Sequence, residues 1–158
     1  MAPALVLLLA FLIGVVSGLR SLTAPAVVAW AAHLGWIHLD QTILRFMEST
    51  AAVAVFTLLA LVELIADQLP STPSRTAPPG LIARIVLGAL CGAAVAVAGA
   101  QSIAIGAVLG AAGGVAGAFG GYQVRARLVK ALKVPDFVIA CLEDAVAIGA
   151  GLFIVARF

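Results

Sequence analysis

Apolar residues in this chain come in long blocks, and the charged residues fall almost entirely at the block edges. The first block runs from Ala4 to Leu19 and stops at Arg20. The second, Leu22 to Leu39, has Pro25 in its first turn, His33 in its middle, and Trp30 and Trp36 toward its far end, where an aromatic interface anchor is expected. An amphipathic stretch from Asp40 to Thr50, with Arg45 and Glu48, leads into a third block, Ala51 to Leu69, interrupted by Glu63 and Asp67. Pro70 to Gly80 holds four prolines and reads as a stiff, extended loop. The fourth block, Leu81 to Ala100, has Arg84 near its start, and only Gln101-Ser102 separates it from the fifth, Ile103 to Tyr122. A basic connector with Arg125, Arg127, Lys130 and Lys133 precedes the last block, Phe137 to Ala156, which contains Glu143 and Asp144.

Blocks of this length match the roughly 20 residues that one bilayer crossing needs. They lack the apolar/polar alternation of membrane strands, so the prediction is an all-α, polytopic membrane protein forming a single transmembrane domain over residues 1–158. The second block decides the count: six crossings if it spans, or five plus one re-entrant helix if it turns back. Basic residues concentrate in the Pro70–Arg84 loop and in the connector, two blocks apart, and this places both on the cytoplasmic side. With six crossings the halves 1–69 and 81–158, joined by the Pro-rich loop 70–80, run in opposite orientation, the arithmetic of a 3+3 inverted repeat. Unrelated Ala/Gly-rich helices would look much the same.

Composition narrows the class further. Of 158 residues, 64% are hydrophobic and 10% charged, against about a quarter charged in soluble domains. With a mean hydropathy of +1.22 the chain cannot supply a polar shell, and disorder is excluded as well. Two cysteines, Cys91 and Cys141, both inside apolar blocks, make no disulfide framework. A net charge of +2 with its basic residues beside apolar blocks argues against nucleic acid as a partner. The first block has no positive n-region and is expected to stay in the mature protein.

Glycine is the densest signal. Gly106, Gly110, Gly114, Gly117 and Gly121 recur at spacings of four or three and stripe one face of the fifth block. Gly14/Gly18 and Gly88/Gly92 are shorter pairs. Small residues let helix backbones approach closely in lipid, so the stripe predicts a tightly packed helix pair, within one subunit or across a homodimer.

The acids inside the blocks are the sharper signal. A charge at the bilayer centre costs roughly 2.5–3.5 kcal/mol on insertion scales, so such groups face partners or water. Glu63 and Asp67 share a helix face, with Glu63 about 6 Å deeper. Glu143 lies about 10 Å past Asp136, with Asp144 next to it. All four acids belong to the cytoplasmic half, bordered by Arg20, Arg75, Arg84, Arg125 and Arg127. Two readings stay open: a water-filled vestibule that binds a substrate or ion, or a set of ion pairs that lock helices together. His33 reads as a histidine hydrogen-bonded to a neighbour. The sequence holds no metal-ligand spacing, no nucleophile elbow and no P-loop, so no metal or cofactor is expected.

The strings Gly18-Leu-Arg20-Ser-Leu-Thr-Ala-Pro25 and Glu63-Leu-Ile-Ala-Asp67-Gln-Leu-Pro70-Ser-Thr-Pro73-Ser-Arg75 resemble a family of small bacterial membrane proteins catalogued as domain of unknown function 4126. The Gly-rich helix, Arg125, Arg127 and Glu143-Asp144 extend the resemblance over nearly the whole chain. It implies a bacterial inner-membrane location and supplies no activity. From the residues, the leading expectation is a small transporter or permease for an unidentified solute or ion. In it Glu63 and Glu143 are the binding carboxylates, Asp67 and Asp144 support them, and Arg20, Arg75 and Arg125 are counter-charges. An enzyme acting on a lipid phosphate or headgroup, and a structural or assembly protein, are the alternatives.

Overall fold

A computed structural model describes residues 1–40, 42–66 and 77–158. Among the described residues it is all-α: α1 (Pro3–Leu19), α2 (Thr23–His33), a 3-10 turn at Ile43–Glu48, α3 (Thr50–Ala66), α4 (Pro78–Ala98), α5 (Ile103–Leu132) and α6 (Asp136–Val155). Three of these, α4, α5 and α6, are long and apolar enough to cross a membrane, and α1 and α3 are shorter apolar helices of 17 residues. The chain is thus a multi-pass membrane protein.

Two elements depart from the block pattern, each for a local reason. The second apolar block is helical for only 11 residues, because Gly35 (φ +75°) closes α2 in a Schellman motif. In it Gly35 N–H donates to the Ala32 carbonyl (3.1 Å) and Trp36 N–H to the Ala31 carbonyl (2.9 Å). The chain then re-enters the core through Ile37 and Leu39, both buried. The fifth block does not stop at Tyr122: α5 takes in most of the basic connector, which has no Gly or Pro to break it, and ends only where Lys133 turns left-handed before Val134-Pro135. Hydrophobic blocks mark where a helix is apolar, not where it ends.

Glycine divides the bundle. On α5, Gly110 packs against Gly88 and Gly92 of α4 and is met from the other side by Gly14 of α1, while Gly117 meets Val15 and Gly18. Residue numbers rise together along α1 and α5 and oppositely along α4, so α1 and α5 are parallel and α4 is antiparallel to both. A Cβ added at any of these glycines would run into the facing backbone. The stripe is therefore used inside the subunit, binding α1, α4 and α5 into one triplet. Gly121 lies past this contact, on the wall of a cavity facing α6.

The other three helices, α2, α3 and α6, pack through larger side chains. Val27 of α2 stands over Gly151 of α6, and the Trp30 indole N–H donates to Thr57 Oγ1 of α3 (3.0 Å). α2 is the centre of this second, looser triplet: it touches both α3 and α6, while α3 and α6 scarcely meet and α6 also packs against α1. His33 Nδ1 lies 2.9 Å from the Glu48 carbonyl, so its partner is local. The core between the triplets includes Ile13, Val28, Val95 and Val155.

Candidate functional site

The end of α1 and the start of α2 are separated by Arg20, Ser21 and Leu22. A helix start leaves its first N–H groups without intrahelical acceptors, and here an acid from another helix meets them. Glu63 of α3 accepts from the N–H groups of Ser21 and Leu22, both at 2.8 Å, and from the Ser21 hydroxyl at 2.5 Å. Its carboxylate also lies 4.0 Å from the Arg84 guanidinium of α4. Arg84 in turn donates from Nε to the Gly18 carbonyl (3.1 Å) and from Nη1 to the Gly80 carbonyl (3.0 Å). The Ser17 hydroxyl donates to the Arg84 carbonyl (3.2 Å), so α1 and α4 hold one another through side chain and backbone alike.

Arg20 is fully buried, and its Nε donates to Asp144 of α6, whose side chain is 14% exposed. Next to Asp144 and toward the start of α6, Arg125 of α5 spans two acids. Its Nε and Nη2 hold Asp136 (2.9 and 2.5 Å), and Nη1 lies 3.5 Å from Glu143. The side chain of Asp136 is 62% exposed and that of Glu143 only 9%.

Glu63, Glu143 and Asp144 thus each face an arginine. Arg125 lies opposite Glu143. Arg20 stands on Asp144, and Arg84 takes the place beside Glu63. Asp67 and Arg75 lie outside the described residues. Ser17 and Ser21 carry contacts the sequence reading did not assign. The signal for Ser21 was present: Ser-Leu-Thr-Ala-Pro is helix-start chemistry, with a hydroxyl just ahead of a first-turn proline. Thr23, two residues on, is buried, and its hydroxyl has no hydrogen-bond partner among the described residues.

These pairs have a common direction. Arg20 at the end of α1, Arg84 on α4 and Arg125 on α5 all belong to the glycine-packed triplet. Glu63 on α3 and Asp136, Glu143 and Asp144 on α6 all belong to the other. Arginines on one body thus face acids on the second across a single seam, all at the end of the bundle where α4 and α6 begin. At the opposite end the seam opens into a cavity of about 540 Å³ lined by Trp36, His38, Ala98, Val155 and Phe158. Beside the charged end, α5 and α6 diverge around a second cavity of about 240 Å³, with Arg125 and Glu143 on its wall.

The sequence profile of a family described as Domain of unknown function (DUF4126) matches residues 7–157. No curated protein and no solved structure matches the chain.

Proposed function

The chain belongs to the DUF4126 family, and from that premise we propose that it is a small permease of the bacterial inner membrane whose two helix triplets part at their charge-paired end. The observation that carries this reading is the segregation of charge across the seam: three arginines on one triplet, four acids on the other. Glycine packing holds α1, α4 and α5 together at backbone distance, with Arg84 adding hydrogen bonds to the Gly18 and Gly80 carbonyls inside that triplet. The arginine–acid pairs lie at the contact between the two bodies. Ionisable groups in a membrane interior are expensive and are found mainly on substrate or ion pathways. A seam of ion pairs is also well suited to a gate, because a solute ion or water can replace each partner when the bodies separate.

The basic end is assigned to the cytoplasm by Arg125, Arg127, Lys130 and Lys133. The six-crossing form is supported by direction: α1 and α3 both run toward the charged end, and α2 runs away from it between them. On this reading α2 crosses as 11 helical residues, about 16 Å, completed by the irregular buried segment through Leu39. The halves α1–α3 and α4–α6 start in opposite directions, as an inverted repeat requires, but the moving bodies are the triplets, which draw helices from both halves. The solute is a small polar molecule or ion that enters between the triplets, with Glu63 and Glu143 as its binding carboxylates.

One observation favours a second reading, a purely structural lock. Glu63 already accepts three hydrogen bonds and faces Arg84, which leaves it little spare capacity in the closed form. Flux into proteoliposomes separates the two. A permease is expected to conduct at least one of a panel of protons, alkali cations, phosphate and small carboxylates, and Glu63→Gln and Glu143→Gln are expected to cut that flux at least tenfold. Flux at the level of empty liposomes for the whole panel, or flux unchanged in both variants, would leave the lock.

A further inference from the structure

The divergence of α5 from α6 leaves a groove whose walls are apolar: Leu19, Val124, Leu128, Ile139, Leu142 and Val146. A dry cavity facing lipid loses dispersion contacts on its empty side, so in a bilayer it is filled by whatever apolar chain can reach it. Arg125 and Glu143 border this apolar groove, with the Arg125 guanidinium turned to Asp136 and Glu143. The stretch 123–133 of the same helix end also carries Arg125, Arg127, Lys130 and Lys133 with no acid among them. Four basic residues at the end of a membrane-spanning segment attract anionic headgroups.

We infer that the α5–α6 groove binds one anionic phospholipid of the leaflet at the charged end, with an acyl chain along the groove and its phosphate on Arg125. Arg125 can take the phosphate because its two acids are held unequally. Asp136 is exposed and returns to water on displacement at little cost, whereas Glu143, 9% exposed, keeps its place. The field of Arg127, Lys130 and Lys133 favours the added negative charge. The groove borders the seam and shares Arg125 and Glu143 with it, but a bound lipid does not require that the protein conduct a solute.

The test is native mass spectrometry of the purified full chain with added phosphatidylglycerol or phosphatidylcholine of identical acyl chains. Phosphatidylglycerol is expected to be retained at least tenfold better. Arg125→Gln is expected to bring its retention down to the phosphatidylcholine level. Leu142→Trp, at a lipid-exposed position on the groove wall, is expected to fill the groove and lower retention of both lipids at least fivefold without unfolding the protein. Equal retention of the two lipids, or retention unchanged in Leu142→Trp, would overturn the assignment. So would displacement of phosphatidylglycerol by millimolar inorganic phosphate, which would mark a free-phosphate site with no acyl contribution.

Discussion

Gly110→Val is expected to abolish the folded state, and no other single substitution in the chain is expected to do more damage. Gly110 is the residue at which α5 is pressed from two sides. A Cβ there would run into the Gly88 carbonyl and the Gly92 Cα of α4, and the backbone of Gly110 itself closes off Gly14 of α1. None of these obstacles is a flexible side chain that could swing aside. Overpacking in an ordinary core costs about 1–3 kcal/mol because neighbours adjust. Here two helix axes must separate along their whole contact, so the loss is expected to exceed about 3 kcal/mol. Gly120→Ala and Gly149→Ala are the matched controls, since a Cβ at either position meets nothing within 4 Å. Both are expected to be neutral, or stabilising by up to about 1 kcal/mol from helix propensity. Unfolding monitored in bicelles, together with yield of monodisperse protein, reads all three. If Gly110→Val folded as well as Gly120→Ala, the close contact of α5 with α1 and α4 would be wrong.

Removing one side of the Arg20–Asp144 pair comes next in size. Arg20 is fully buried, and Arg20→Leu leaves the Asp144 carboxylate without its donor in a low-dielectric seam. Breaking a buried pair from one side costs about 3–5 kcal/mol, mostly the penalty of the charge left behind. Asp144→Leu is expected to cost a comparable amount. Arg20→Lys is not expected to rescue, because Asp144 is held by the guanidinium Nε–H, and an ammonium point charge does not reproduce that direction. The double variant Arg20→Leu/Asp144→Leu is expected to lose about 1–3 kcal/mol less than the sum of the singles. Strict additivity in the cycle would mean that the two groups do not interact in the membrane.

How much of this was legible in the sequence depended on which interactions are periodic. The glycine stripe was readable because its partners, Gly14/Gly18 and Gly88/Gly92, carry the same four-residue spacing and so can lie along it. The acids were readable because a charge in an apolar block has few reasons to be there. Which arginine meets which acid was not readable, since that depends on the crossing of helices far apart in the chain. The sequence offered Arg20, Arg75 and Arg125 as counter-charges without assigning them, and the elbow after α1 offers Glu63 its backbone N–H groups while sending the Arg20 side chain to α6. The triplet division was hidden for the same reason, because it cuts across chain order. The end of α5 was misplaced because hydropathy falls at Tyr122, although helical hydrogen bonding continues to Leu132 on charged and apolar residues alike.

The central claim is that the charged seam opens. Thr23 tests it without knowledge of the solute. It starts α2 beside the Ser21 and Leu22 N–H groups that hold Glu63, it is buried, and its hydroxyl makes no hydrogen bond among the described residues, so Thr23→Cys removes no partner. In a Cys141→Ser background, with Cys91 fully buried as the internal reference, a membrane-impermeant maleimide is applied to each side of sealed vesicles. Modification of Thr23→Cys from the cytoplasmic side, at least tenfold faster than that of Cys91, is the predicted result. Protection from both sides, as complete as that of Cys91, would contradict a seam that opens and would make the arginine–acid pairs a permanent lock.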